Sequence, residues 1–447
     1  MNNCENPMKS KSILPLLITM SVPPMVSMMI QSLYNIVDSI FVAQIGEKAL
    51  TAVSLVFPLQ NIVLALAIGF GVGLNSTISI SLGANDNDKV NEAVSHGIVL
   101  SLVHWIIFIM VGIFLTKPFL RMFTSDEEIF NWGYQYAVIV MCFSAGVFYQ
   151  LVLEKMYQAL GNMIIPMAIQ IAGCIINIVL DPVFIFGMFG MPAMGVLGAA
   201  IATVIGQISA FILYIIIFRR NNNGIKISIK KFRFDRDMVK KLYSVGLPSS
   251  VMMAVPSVLV GVLNGILINL SQSAVAFIGI YFKLQTFVYM PANGLLQGMR
   301  PIVGYNYGAR EKERMFKAIK ASIFIAVIIM AIGTFVLMIF PSSVLNMFNA
   351  ESELMTVGIS ALKIISTGFI FSAIPVVFSG VFEGLGDGMR SLIITLLRQL
   401  IIIVPAAILL SKVFGIYGVW ISFPLSEIAA MVISIIIMKS KLREIEV

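Results

Sequence analysis

Twelve apolar stretches, each long enough to cross a lipid bilayer, recur along the 447 residues, beginning near Ile13, Ala49, Ala93, Ile129, Ile164, Val196, Leu242, Ala274, Phe316, Leu354, Ser391 and Ile416. A helix rises about 1.5 Å per residue, so roughly 20 apolar residues cover the hydrocarbon core of a membrane. The short alternating polar and apolar segments of an outer-membrane barrel are absent. The chain is expected to be an all-α polytopic membrane protein with twelve spans. Its composition agrees: 59% of residues are hydrophobic and 12% charged, where soluble domains carry about 25% charged residues.

The first stretch, from Ile13 to about Ile45, is too long for a signal-peptide core and has no small-residue cleavage site, so it reads as a retained helix. Cys4, Cys142 and Cys174 are too few and too scattered for a disulfide framework or a metal centre, and read as packing residues. The net charge of +8 reflects membrane topology and not a nucleic-acid partner, because the basic residues gather on one face. That face holds the amino terminus, every second loop and the carboxyl terminus. The opposite face carries only Lys48, Lys117, Arg121 and Lys412. Both termini are therefore expected in the cytoplasm. The largest basic cluster, between Arg219 and Lys241, reads as a solvated linker lying on anionic headgroups.

One internal offset recurs. The segment GFGVGLNSTISISLGA from Gly69 matches GLLQGMRPIVGYNYGA from Gly294 at a shift of 225. The same shift pairs Pro23 with Pro248, Ala49 with Ala274, Met122 with Met347, Gly133 with Gly358 and Gly161 with Gly386. Residues 1–220 are read as an amino-terminal lobe of helices one to six, 221–241 as a basic cytoplasmic linker and 242–447 as a carboxyl-terminal lobe of helices seven to twelve. An even number of spans per copy brings both copies in and out on the same side. That is the parallel-repeat plan of a carrier, in which two bundles rock around a central cavity.

A charge in the hydrocarbon core is costly and needs a reason. On the first helix Tyr34 and Asp38 lie four residues apart, and on the fifth Asn177 and Asp181 repeat that spacing, so each pair shares a face. Asp38 lies about 12 Å before Gly46, Asp181 about 9 Å before Gly187, and Thr203 about 12 Å after Gly195. All three sit at similar depth. Two carboxyls meeting in a poorly solvated pocket do not both ionise near neutrality. Such a cluster can take up a proton, or a sodium ion with Asn177, Tyr34 and Thr203 as further oxygen donors. Pro182 removes a backbone donor beside Asp181, and Pro23 with Pro24 makes a similar break in the first helix; each marks a place to bend.

The second half does not copy this cluster: at the 225 shift Asp38 becomes Leu263 and Tyr34 becomes Leu259. It carries Lys283, Arg300, Lys363, Arg398 and Glu427 instead. Arg398 and Glu427 are placed to pair near the midplane, as a salt bridge or a substrate contact, and Lys283 either lines the cavity or snorkels outward. Arg300 and Lys363 read as snorkelling residues. His96, near a loop edge, reads as solvent-facing.

The segments GMRPIVGYNYGAR (residues 298–310), NIVLDP (177–182) and YNIVDSIFVAQIG from Tyr34 resemble the multidrug and toxic compound extrusion (MATE) family, bacterial multidrug type. The resemblance covers the whole chain. It implies two pseudo-symmetric six-helix lobes in a V within the bacterial cytoplasmic membrane, working as a monomer among the membrane lipids. It implies efflux of organic cations by antiport with protons or sodium, without a cofactor. Residue by residue, it assigns ion coupling to Asp38, Tyr34, Asn177, Asp181 and, more loosely, Thr203, and bending to Pro23 or Pro24. Some members carry acidic coupling residues on helices seven, eight or ten, and none is evident in this chain. A flippase or exporter of a lipid-linked or anionic metabolite is the competing expectation, kept open by Lys283, Arg300 and Arg398. An enzyme is not expected: His96 and His104 are the only histidines, and no catalytic grouping, metal-ligand spacing or phosphate-binding loop is visible.

Overall fold

The structure, a computed structural model, describes residues 7–220, 225, 232–348 and 352–446. Cys4 and residues 221–224 and 226–231 of the expected linker lie outside the described residues. Among the described residues there are helices and no strands. The spans are α1 (Ile13–Ile45), α2 (Glu47–Gly83), α3 (Asn87–Phe114), α4 in two pieces (Glu127–Cys142 and Ala145–Ala159), α5 (Ile164–Phe186), α6 (Val196–Arg220), α7 (Arg236–Leu267), α8 (Gln272–Gly308), α9 (Lys312–Ile339), α10 (Ser352–Gly384), α11 (Gly388–Leu396 and Ile403–Phe414, joined by a π turn at Leu397–Ile401) and α12 (Ile416–Glu446). Among the described residues, eleven are long and apolar enough to cross a membrane, and the halves of α4, bent by 43°, make a twelfth when taken as one span.

Local sequence sets several of these ends. Asp86 accepts from Lys89 N, Asp126 from Glu128 N and Ile129 N, and Ser271 from Ala274 N, satisfying first-turn donors that a helix cannot pair internally. Asp235 accepts from Asp237 N and starts α7 at Arg236, so residues 236–241 of the expected linker are helical. The chain also stays helical through Pro23, Pro24 and Pro182. Ser27 Oγ donates to the Pro23 carbonyl at 3.0 Å.

The 225-residue repeat has a physical use: it supplies the joint between two six-helix lobes. A Cβ at Gly69 would strike Ser250 and Gly246, and one at Gly294 would strike Met25, the repeat mate of position 250. Gly73 faces Leu242 and Gly246, while Gly298 faces Ser21 and Met20. Gly83 rests on Tyr305, and Gly308 rests on Ile80. Each contact of α2 on the second lobe is thus mirrored by a contact of α8 on the first, as a two-fold axis along the membrane normal requires. Only glycine lets these backbones approach so closely.

The cores obey the same exchange. Leu16, Leu17 and Met20 of α1 pack into the second lobe's cluster, whereas Met238 and Leu242 of α7 pack into the first lobe's. All these contacts lie toward the face that bears the termini. Near the opposite face, Gly46, Gly261, Gly265 and Gly279 have nothing within 4 Å of a Cβ position. The lobes splay there, and the molecule is a V closed on the terminal face.

Candidate functional site

In the first lobe α1, α5 and α6 bring their polar faces together. Asp181 and Asn177 are buried, at 0% and 3% exposure, and Thr203 is buried beside them at 5%. Asp38 and Tyr34 are half-buried. The Asp38 and Asp181 carboxyls lie close enough to interact electrostatically. With its amide nitrogen turned to Asp181, Asn177 donates to Oδ2 at 3.0 Å while its oxygen accepts from Thr203 N at 3.0 Å; the opposite orientation would set acceptor against acceptor. One oxygen of each carboxyl, Oδ1 of Asp38 and Oδ1 of Asp181, has no partner.

All five residues singled out for this cluster are thus in one place. Tyr136 of α4 belongs to it too: it lies close enough to both carboxyls to interact electrostatically, and its hydroxyl accepts from Gln60 Nε2 of α2 at 3.3 Å. Neither was recognisable beforehand, since an uncharged polar residue on an apolar helix carries no signal of its own.

Tyr34, Asn177 and Thr203 form one end of a cavity of about 400 Å³ in the first lobe. Its walls combine Gln31, Gln150, Gln170 and Gln207 with Met28 and Met167, an adaptable lining for bulky organic guests. Its other end reaches a polar cluster. Lys155 is helical and buried at 5% exposure. Its Nζ lies 2.9 Å from Glu154 Oε1 and donates to Gln158 Oε1 at 3.0 Å and to Gln297 Oε1 at 3.4 Å. Gln297 belongs to α8, so this cluster ties the two lobes across the closed end of the V.

A second cavity of about 850 Å³, lined by Lys283, Arg300 and Arg398, adjoins the first and shares Met28, Ile68, Met253, Asn293 and Arg300 with it. Arg300 is not a snorkelling residue: its Nε lies 2.7 Å from Glu383 Oε2, and Ser249 Oγ donates to Glu383 Oε1 at 2.6 Å. Glu383, buried at 3% exposure on α10, is an acidic residue of the second lobe that the sequence reading did not single out. The repeat could have flagged this pair, because the 225 shift maps Asn75 onto Arg300 and Gln158 onto Glu383. Arg398 and Glu427 do approach each other, at 3.5 Å. Lys363 is exposed, in keeping with snorkelling.

His96 corrects another expectation. It is 1% exposed; its Nε2 accepts from Asp235 N at 3.0 Å, and its Nδ1 lies 2.9 Å from the Glu92 carbonyl. The acceptor role of Nε2 places the neutral ring's proton on Nδ1. His96 therefore ties the start of α7 to α3.

A family model described as MatE matches the chain twice, over residues 23–183 and 248–409. Over 433 residues the chain is 28% identical to the multidrug export protein MepA of Staphylococcus haemolyticus, covering 97% of this chain and 94% of that protein. A structure described as the outward-facing conformation of a multidrug resistance MATE family transporter of the MOP superfamily superimposes with a TM-score of 0.90 at 26% identity, over 99% of this chain and 98% of that one. A MOP superfamily transporter from Pyrococcus furiosus, described as having a binding pocket of reverse polarity that suggests a different function, superimposes with the same TM-score at 25% identity, over 99% and 98%. Two matches to one family model, one in each repeat and together spanning most of the chain, establish that this protein belongs to the MatE family of multidrug efflux transporters.

Proposed function

We propose that the protein exports organic cations in exchange for protons or sodium ions, and that the exchange centre is the Asp38–Asp181 cluster. The observation that carries this reading is the pair of carboxyls, each with an unpartnered oxygen, behind a cavity whose end is formed by Tyr34, Asn177 and Thr203. A proton answers the two acceptors directly. A sodium ion would draw on the same oxygens together with those of Asn177, Tyr34 and Thr203. In either case the ion neutralises charge that otherwise attracts a cationic guest, so ion and substrate compete for the lobe.

Alternating access follows from the joint. The lobes, residues 1–220 and 242–447, move against each other about the glycine crossings, with both termini in the cytoplasm by the distribution of Lys and Arg. The closed terminal face then makes this conformation open to the outside, where a coupling ion enters. Loading the carboxyls bends α1 at Pro23 and Pro24 and α5 at Pro182, where the helical ladder lacks a donor. That bending narrows the first-lobe cavity and releases the guest.

The test is efflux of a cationic dye from proteoliposomes under a proton gradient and, separately, a sodium gradient. We expect one gradient to drive transport, and Asp38→Asn and Asp181→Asn each to abolish it while the protein remains monodisperse in detergent. Full gradient-driven transport by both variants would falsify the assignment.

A further inference from the structure

The chain's two histidines, His96 and His104, both stand on α3 of the first lobe and both bond α7 of the second. His104 Nε2 lies 2.6 Å from the Tyr243 hydroxyl, inside a box of rings made by Phe70, Phe148 and Tyr243 itself. His96 lies about two turns nearer the terminal face, where it accepts from the backbone N–H of Asp235. Neither histidine has a mate in the repeat: the 225 shift maps them onto Ala321 and Ile329. The matching crossing, α9 on the segment that leads into α1, is tied instead by Arg314, whose Nη2 donates to the carbonyls of Met8 at 3.1 Å and Lys11 at 2.7 Å. A guanidinium keeps its charge throughout the physiological range, whereas histidine as a class changes charge between about pH 5 and 8. One half of the joint is therefore tied by a fixed charge and the other by a group that protons can alter.

The tie at His96 works only with a neutral ring. Nε2 accepts from Asp235 N at 3.0 Å, and Nδ1 lies 2.9 Å from the Glu92 carbonyl, so the one ring proton is already committed to Nδ1. A second proton has to sit on Nε2, where it meets the Asp235 N–H donor to donor, and the bond is lost. Carboxyls stand ready to receive the imidazolium: Glu92 of α3 and Asp235 at the head of α7 each lie close enough to the ring to interact with it electrostatically. Lys241 of α7 stands near Glu92, and the chain before α7 presents the Phe232 and Phe234 rings, 4.7 and 6.3 Å from the imidazole centre. The Asp235 carboxylate caps α7, accepting from Asp237 N at 2.7 Å. Turning it toward a charged ring uncaps that helix, so the same proton removes both the tie and the first-turn cap.

We propose that His96 is a proton-operated latch across the joint: neutral, it pins the start of α7 to α3; protonated, it lets α7 go and frees the terminal face to part. The tie is present above the range in which histidine titrates and fades as pH falls through it. With both termini in the cytoplasm, as proposed above, the latch reads cytoplasmic acidity, from a helix that carries neither Asp38 nor Asp181.

The experiment follows hydrogen exchange at Asp235 and the first turn of α7 in the full-length protein between about pH 5 and 8, corrected for intrinsic rates. Release that takes up one proton raises the open population up to about tenfold per pH unit, so protection in the wild type should fall by up to that factor per unit on acidification. His96→Gln keeps an uncharged acceptor at every pH and should lose this dependence; His96→Ala should exchange fast at every pH. Spin labels at Asp88 and Glu313, exposed repeat mates at the starts of α3 and α9, should move apart in acid in the wild type and not in His96→Gln. Protection that stays flat or rises in acid in the wild type overturns the latch. A fall of equal size in His96→Gln does the same, because it belongs to other titrating groups, the Asp38–Asp181 pair among them. Falling protection with unchanged label distances overturns the part of the latch in opening the face.

Discussion

The crossing glycines give the sharpest test of how the lobes move. At Gly298 a Cβ would sit 2.7 Å from both the carbonyl carbon and the oxygen of Met20, and at Gly73 it would lie 2.9 Å from Gly246 N and against the Leu242 carbonyl. Ordinary contacts begin near 3.4 Å, and backbone atoms in a helix cannot rotate aside. Gly298→Ala therefore has to part α8 from α1, and Gly73→Ala has to part α2 from α7. Overpacking of this kind costs about 1 to 3 kcal/mol. The penalty falls on the conformer whose terminal face is closed and is relieved where those helices separate, so the ratio of the two should shift about 5- to 150-fold per site. Spin labels at Met122 and Met347, repeat mates that are 79% and 81% exposed on the open side of the V, report the change by pulsed electron resonance. We expect the label distance to shorten in both variants and to stay unchanged in Gly265→Ala, where nothing lies within 4 Å of the added carbon. Distances that stay the same in Gly73→Ala and Gly298→Ala, or that shorten as much in Gly265→Ala, refute the joint.

Three further expectations concern the polar ties. Arg300→Met strands the Glu383 carboxylate, whose side chain is 4% exposed, and should cost about 3 to 5 kcal/mol, whereas Arg300→Met with Glu383→Met should recover most of it; thermal unfolding in detergent tests this, and equal losses in the single and double variants would show no coupling. His96→Ala removes the acceptor for Asp235 N, so amide exchange at the start of α7 should quicken while the rest of α3 keeps its protection; unchanged exchange at Asp235 would mean that the contact holds nothing. Asp126 caps α4 and meets Lys48 at 3.0 Å, which holds its carboxyl below the usual range. A carboxyl depressed on folding stabilises at neutral pH and loses that contribution as pH falls through its folded-state value. Asp126→Ala should therefore lower the melting temperature at pH 7, with the gap to wild type closing in strong acid; a gap independent of pH would assign the effect to packing alone.

The spans were legible because hydropathy acts over twenty residues and tolerates local exceptions. The repeat was legible because a joint made of backbone contacts admits glycine and little else, so the same residue had to recur at the same offset. The Asp38–Asp181 cluster could be read because a carboxylate in a span stands out and two at matching depth suggest each other. Lys155 and Glu154 escaped notice for the converse reason: adjacent charges near the end of a span look like a loop, and only the three-dimensional seam shows that Gln297 of the other lobe closes over them. Arg300 and Glu383 lie 83 residues apart in the chain, and in the sequence only the repeat, which maps Asn75 and Gln158 onto them, links the two. The bend within α4, at Phe143 and Ser144, follows no proline; Trp105 Nε1 of α3 donates to the Cys142 carbonyl beside it at 2.7 Å.

Symmetry in this molecule is confined to the mechanics. Gly69, Gly73 and Gly83 have their mates at Gly294, Gly298 and Gly308, and Leu17 exchanges cores with Leu242. The chemistry breaks the same symmetry: Asp38 becomes Leu263, Tyr34 becomes Leu259, Asn75 becomes Arg300 and Gln158 becomes Glu383. A two-fold joint lets either lobe lead the opening with little bias, since its contacts on one side repeat those on the other. Direction has to come from a difference between the lobes, and a coupling ion supplies one only if it binds in a single lobe. Neutral Leu259 and Leu263 leave the second lobe without a counterpart of the acid pair, so under the proposed coupling protons or sodium loaded at Asp38 and Asp181 would tilt one lobe alone. A variant that rebuilt the pair in the second lobe should therefore weaken the vectorial drive while leaving the joint, and exchange across it, intact.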